Sequence, residues 1–85
     1  MFQPPDTLTI ANARTALDAG LAAVAAGQTE FDLGQLKTLD SAAVATLLAW
    51  RRAAGEQGKR LRFANLPSSL QSLAAVYGVA ELLQD

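Results

Sequence analysis

The chain has 85 residues, 51% of them hydrophobic and 18% charged, with a formal net charge of −1. That length supports one hydrophobic core, so residues 1–85 are expected to form a single domain, and a near-neutral balance without a basic surplus argues against nucleic-acid binding. Cysteine and histidine are both absent, which removes disulfides, zinc sites, thiol nucleophiles and Ser-His-Asp relays, so no catalytic residue, metal or cofactor is expected. No apolar run approaches the ~18 residues of a membrane span, and no charged segment precedes an apolar leader. The expectation is a cytoplasmic chain, neither exported nor embedded.

The 18 alanines contribute little burial apiece, so the core is expected from the 14 leucines with Val24, Val44, Phe31, Phe63, Trp50 and Tyr77. Leu8 and Ile10 alternate after Pro4-Pro5 and predict a short first or edge strand. Ala13, Leu17, Leu21, Val24 and Ala25 recur at helical spacing, with Asn12 placed to cap the start and Gly27 the end. Phe31 and Leu33 alternate with Glu30 and Asp32, which predicts a strand over Thr29 to Leu33. A turn at Gly34-Gln35 and a loop carrying Leu36 and Leu39 follow. Asp40 opens a second helix of about four turns, with Val44, Leu47 and Leu48 facing the core. Lys59 to Ala64 alternates Arg60 and Arg62 with Leu61 and Phe63 as another strand. Pro67 starts a third helix whose stripe is Leu66, Leu70, Leu73, Ala74 and Tyr77. Gly78-Val79 closes it, and a terminal turn runs from Ala80 to Gln84. Helix-length crossovers between strands favour parallel or mixed pairing in an α/β domain.

Few residues carry chemistry. The loop from Leu33 to Ser41 has neither the spacing of a dinucleotide-binding loop nor that of a phosphate cradle. Asp32 and Asp40 lie near it without a histidine to complete an acid/base pair, so both read as capping or solvated carboxylates. Asp40 at a helix start has two readings, a plain cap and a contact residue. Ser41 follows in the first turn as a contact residue or as an acceptor of a phosphoryl group. Opposite the core face of this helix fall Ala42, Thr46, Ala49 and Ala53, a small-residue stripe that reads either as a surface admitting another backbone or as helix propensity alone. Trp50, at its flank, reads as an interface anchor or as a half-buried core residue. Arg51, Arg52, Lys59, Arg60 and Arg62 form a basic cluster whose default reading is a solvated face, with Arg51 reaching water along its own stem.

The segment Phe31-Asp32-Leu33-Gly34-Gln35-Leu36-Lys37-Thr38-Leu39-Asp40-Ser41-Ala42-Ala43-Val44 resembles the central signature of STAS domains. Arg51-Arg52, Gly58-Lys59, Leu61-Arg62-Phe63, Asn65-Leu66-Pro67 and Val76-Tyr77-Gly78-Val79 extend the similarity, most closely to the Mla-type STAS subunit of bacterial phospholipid-transport ABC systems. The resemblance implies a mixed β-sheet with about three helices largely on one face. The first hairpin should be stunted, since only Met1-Phe2-Gln3 precedes Pro4-Pro5. It also implies a non-catalytic docking subunit that binds and stabilises or regulates a cytoplasmic ABC-transporter ATPase at the inner face of the membrane. The contact set is then Asp40, Ser41, Ala42, Thr46, Ala49 and Trp50. The alternative branch is the anti-sigma factor antagonist, whose partner kinase phosphorylates a serine; here that stretch reads Asp40-Ser41-Ala42-Ala43, leaving Ser41 as the acceptor. A nucleotide or lipid binder, the third class, has no pocket-forming signal in the sequence.

Overall fold

The structure, a computed structural model describing residues 1–83, resolves the alternating pattern into short strands and three helices. In chain order they are β1 (Thr7–Leu8), α1 (Ala13–Ala25), β2 (Glu30–Asp32), β3 (Thr38–Leu39), α2 (Ser41–Glu56), β4 (Arg62–Ala64) and α3 (Ser68–Val76), followed by a 3-10 turn (Ala80–Leu83). This is the expected α/β class, a mixed α/β fold with three helices. Two parallel ladders form. Phe31 of β2 stands opposite Phe63 of β4, and Leu8 of β1 stands opposite Leu39 of β3. Parallel neighbours need long crossovers, and α1 and α2 are the segments that supply them.

The apolar sides of both ladders meet the helices in one cluster that includes Leu8, Val24, Phe31, Leu33, Leu47, Trp50, Leu61 and Leu70, each nearly or wholly out of water. Its centre is aromatic. The Trp50 ring meets Phe31 edge-on at 5.3 Å and Phe2 edge-on at 5.6 Å, and Phe2 in turn lies 4.6 Å from Phe31. Edge-to-face pairs of this kind add about 0.5–1.5 kcal/mol each beyond the area they bury. Trp50 is completely buried, and its indole N–H donates to the Leu17 carbonyl of α1 at 3.0 Å, so its one polar atom is satisfied.

That ring fits because position 20 has no side chain. A Cβ built on Gly20 would collide with Nε1 and Cε2 of Trp50. Alanine is intrinsically preferred over glycine in a helix by about 1 kcal/mol, so Gly20 is accounted for by the close approach of α1 to the indole.

Several details depart from the expectations above. Pairing among the described residues is parallel throughout, and where a stunted first hairpin was expected there is a single parallel bridge. Phe2 makes a one-residue parallel bridge to Phe31, and its carbonyl accepts from the Asp32 amide at 2.9 Å. The prolines at 4 and 5 have no N–H to extend that ladder. The predicted loop at Leu39 contains β3, because the Lys37 and Thr38 amides both donate to the Asp6 carbonyl and draw the segment against β1. Ile10, assigned to a strand, lies beyond β1 and is 81% exposed. Asn12 stands at the start of α1 without capping it. Its side chain accepts from the Thr9 amide and donates to the Thr7 carbonyl, closing the β1–α1 loop instead. Leu47 is buried as expected, whereas Leu48 is only half-buried. Tyr77 leaves the core stripe because it is the C-terminal cap residue of α3, and it is 55% exposed. The terminal turn is present through Leu83, and Gln84 lies outside the described residues.

Replacing Gly20 by alanine is expected to destabilise the domain by about 1–3 kcal/mol through overpacking against Trp50, despite the gain in helix propensity. Urea denaturation followed by Trp50 fluorescence checks this, and equal or greater stability of the variant would contradict the packing described.

Candidate functional site

The start of α2 is built by one carboxylate with two tasks. Asp40 has extended backbone angles, as a residue just outside a helix requires, and one of its oxygens accepts from the Ala42 amide at 2.8 Å. The other oxygen accepts from the Ile10 amide at 3.1 Å. The same side chain therefore caps α2 and ties down the loop that carries Ile10. Ser41 follows on the exposed side of the first turn.

Beyond this turn the helix is buried on two sides. Ala43, Val44 and Leu47 enter the core, while Thr46 and Trp50 are also buried, Trp50 against α1. Thr46 donates its hydroxyl to the Ala42 carbonyl at 2.7 Å, which removes its polarity from the packed surface. The outward placement expected for Thr46 is thus corrected, and of the two readings of Trp50 the interface anchor gives way to the core residue: both side chains are internal. The backbone that the small residues admit at this point includes α1 of the same chain. The exposed strip is displaced by one residue, running through Ser41, Ala45 and Arg52 with Leu48 and Ala49 half-covered.

Two apolar grooves flank that strip. One, of about 510 Å³, lies between α1 and α2 and is lined by Ile10, Ala13, Leu17, Ala42, Ala45 and Ala49 among others. The second, of about 230 Å³, lies between α2 and the end of α3, lined by Ser41, Val44, Ala45, Leu48, Tyr77 and Val79. Ala45 borders both. Sequence reasoning missed Ala45, Ile10, Tyr77 and Val79 as surface elements. Their signal was positional: Ile10 lies just beyond the strand that ends at Leu8, and Tyr77 precedes the Gly78 that ends α3.

A family profile described as "Mlab, STAS domain" matches residues 6–84. The chain belongs to that STAS family. No curated protein and no solved structure matches it. In this STAS domain the segment from Phe31 to Val44 runs through β2, β3 and the first turn of α2, so it delivers Ser41 to the groove between α2 and α3 and Ala42 to the groove between α1 and α2. No helix among the described residues is long and apolar enough to cross a membrane.

The other candidate charges are employed elsewhere. Asp32 accepts from the Asn65 side chain at 3.0 Å and the Gly34 amide at 2.9 Å, joining the loops after β2 and β4. The Asn65 amide, followed by the Gly34 N–H, holds its carboxyl below the usual carboxylate range. Asn65 itself has φ 58°, a left-handed conformation that asparagine tolerates better than most residues. The basic cluster is dispersed. Lys59 donates to the Val24 carbonyl near the end of α1, and Arg51 is half-buried against Phe63.

Asp40→Ala is expected to cost about 1–3 kcal/mol, combining loss of the helix cap with loss of the acceptor for Ile10. Chemical denaturation provides the value, and a variant as stable as the native chain would show that neither bond contributes.

Proposed function

We propose that this STAS domain is a non-catalytic accessory subunit that docks on the cytoplasmic ATPase of a bacterial phospholipid-transport ABC complex. On this reading the docking face comprises Ser41, Ala42, Ala45, Leu48 and Ala49, while Asp40 shapes the face from behind. The single observation that carries the reading is that the family's signature turn opens onto an apolar surface. Ile10 in one flanking groove and Tyr77 in the other are 81% and 55% exposed. Contiguous apolar exposure on a small domain marks an interaction surface more readily than a solvated face.

The chemistry of such a face suits partner binding. Small side chains along Ser41, Ala42, Ala45 and Ala49 let a second backbone approach, and the grooves on either side accept apolar side chains from it. Membership of the Mlab STAS family supports an ATPase as that partner, and the partner's location makes this chain a cytoplasmic component at the inner face of the membrane. The antagonist alternative retains one observation in its favour, the exposure of Ser41 at a helix N-terminus, where a phosphate would meet the positive end of the helix dipole.

Ala45→Arg tests the proposal. The position is exposed, so circular dichroism is expected to match the native chain, while co-purification with the cognate ATPase is lost because bulk and an unpaired charge enter a desolvated contact. Ser41→Ala is expected to weaken the complex by about 0.5–1.5 kcal/mol. Full ATPase binding by folded Ala45→Arg would sink the assignment of this face. Loss of a kinase-dependent activity on phosphorylation of Ser41 in the native chain would favour the alternative.

A further inference from the structure

We infer that Arg51 is a positioning residue that fastens the C-terminal turn as a strap along α2, and that this strap sets the shape of the groove between α2 and α3. The inference rests on the docking face proposed above, but it makes a claim about the isolated domain as well. Arg51 was expected to run along its stem to water. Instead its guanidinium stacks 4.5 Å from the centre of the Phe63 ring and, among the described residues, donates to two carbonyls. One nitrogen reaches Leu82 at 2.8 Å and the other reaches Leu61 at 2.8 Å. A planar fork can bridge two such acceptors while lying on an aromatic face, which an ammonium cannot do.

The two carbonyls belong to different parts of the chain. Leu61 leads into β4 in the core, whereas Leu82 lies in the 3-10 turn and is itself 54% exposed. Arg51, on α2, therefore joins a peripheral turn to the centre of the fold. Among the described residues the turn is also anchored by the buried Leu83, with Ala80 partly buried against the core. Between Gly78 and this pinned end runs Val79, whose amide donates to the Ala74 carbonyl at 2.9 Å and whose carbonyl accepts from Leu82 at 2.9 Å. Val79 and Tyr77 form the α3 side of the groove that faces Ser41, Ala45 and Leu48. A segment of a few residues with so little buried surface is drawn from the low-stability end of a fold, so its position depends on the few contacts that hold it.

The experiment is amide hydrogen exchange on the purified domain, read at Val79 and Leu82 for the strap and at Leu33 and Arg62 for the β2–β4 ladder, with ATPase capture measured in parallel. Arg51→Ala is expected to reduce protection at Val79 and Leu82 by roughly tenfold or more while the ladder amides change far less. ATPase capture should fall with it. Arg51→Lys, which keeps the charge but loses the fork, should recover only part of both. Leu83→Ala releases the same turn with Arg51 intact and should also weaken capture, which decides the matter if Arg51→Ala does not fold. Unchanged protection at Val79 and Leu82 in Arg51→Ala would overturn the strap, as would an equal loss at the ladder amides. Lost protection with undiminished capture would overturn its role in shaping the groove. Failure of the native chain to bind the ATPase would refute the proposed function while leaving the exchange data to judge the strap.

Discussion

The insertion of Trp50 against α1 is the contact on which the rest of the domain depends. An indole of this size removes about 150–250 Å² from water, worth about 4–6 kcal/mol as an upper estimate. That is a large share of the stability available to a domain of 85 residues. Three conditions make it possible. Gly20 leaves space for the ring, the Leu17 carbonyl accepts its N–H, and Phe2 and Phe31 present their faces to its edges. The thin, alanine-rich remainder of the core does not need to supply comparable bulk.

Fixing Trp50 also fixes the rotation of α2. With Trp50 and Thr46 turned inward and Val44 and Leu47 in the core, only a narrow strip from Ser41 through Ala45 to Arg52 remains in water. Asp40 then sets where that strip begins, because its carboxylate caps the helix and holds Ile10 beside it. At the other end Arg51, one residue beyond the buried tryptophan, ties in the C-terminal turn. The contact proposed for a partner is thus the surface left over by internal packing, and its small side chains owe their position to the residues behind them.

The helices were legible because their periods run over many residues, and the strands at Phe31 and Phe63 because alternation with charged neighbours is visible even in a short span. Thr38–Leu39 was not, since two residues carry no period and the pairing with β1 depends on a carbonyl thirty residues earlier in the chain. The cap at Asp40 followed from its side-chain chemistry, whereas its second bond to Ile10 is a tertiary contact with no local trace. Placing one apolar stripe inward misjudged α2, because a helix packed on two sides has two inward stripes and a single-face projection assigns one of them to solvent. For the same reason Thr46 read as a surface residue, although its hydroxyl is satisfied within the helix. Arg51 was read as reaching water along its stem, and only the fold brings Phe63, Leu61 and Leu82 around it.

The central claim, that the strip left exposed by Trp50 is the surface a partner covers, is tested most directly by hydrogen exchange on the native chain with and without the ATPase proposed as its partner. The account predicts that added protection appears in the first two turns of α2, in the loop carrying Ile10 and in the segment from Tyr77 to Val79. Protection confined to Lys59 through Arg62, with the α2 start unchanged in the complex, would contradict it.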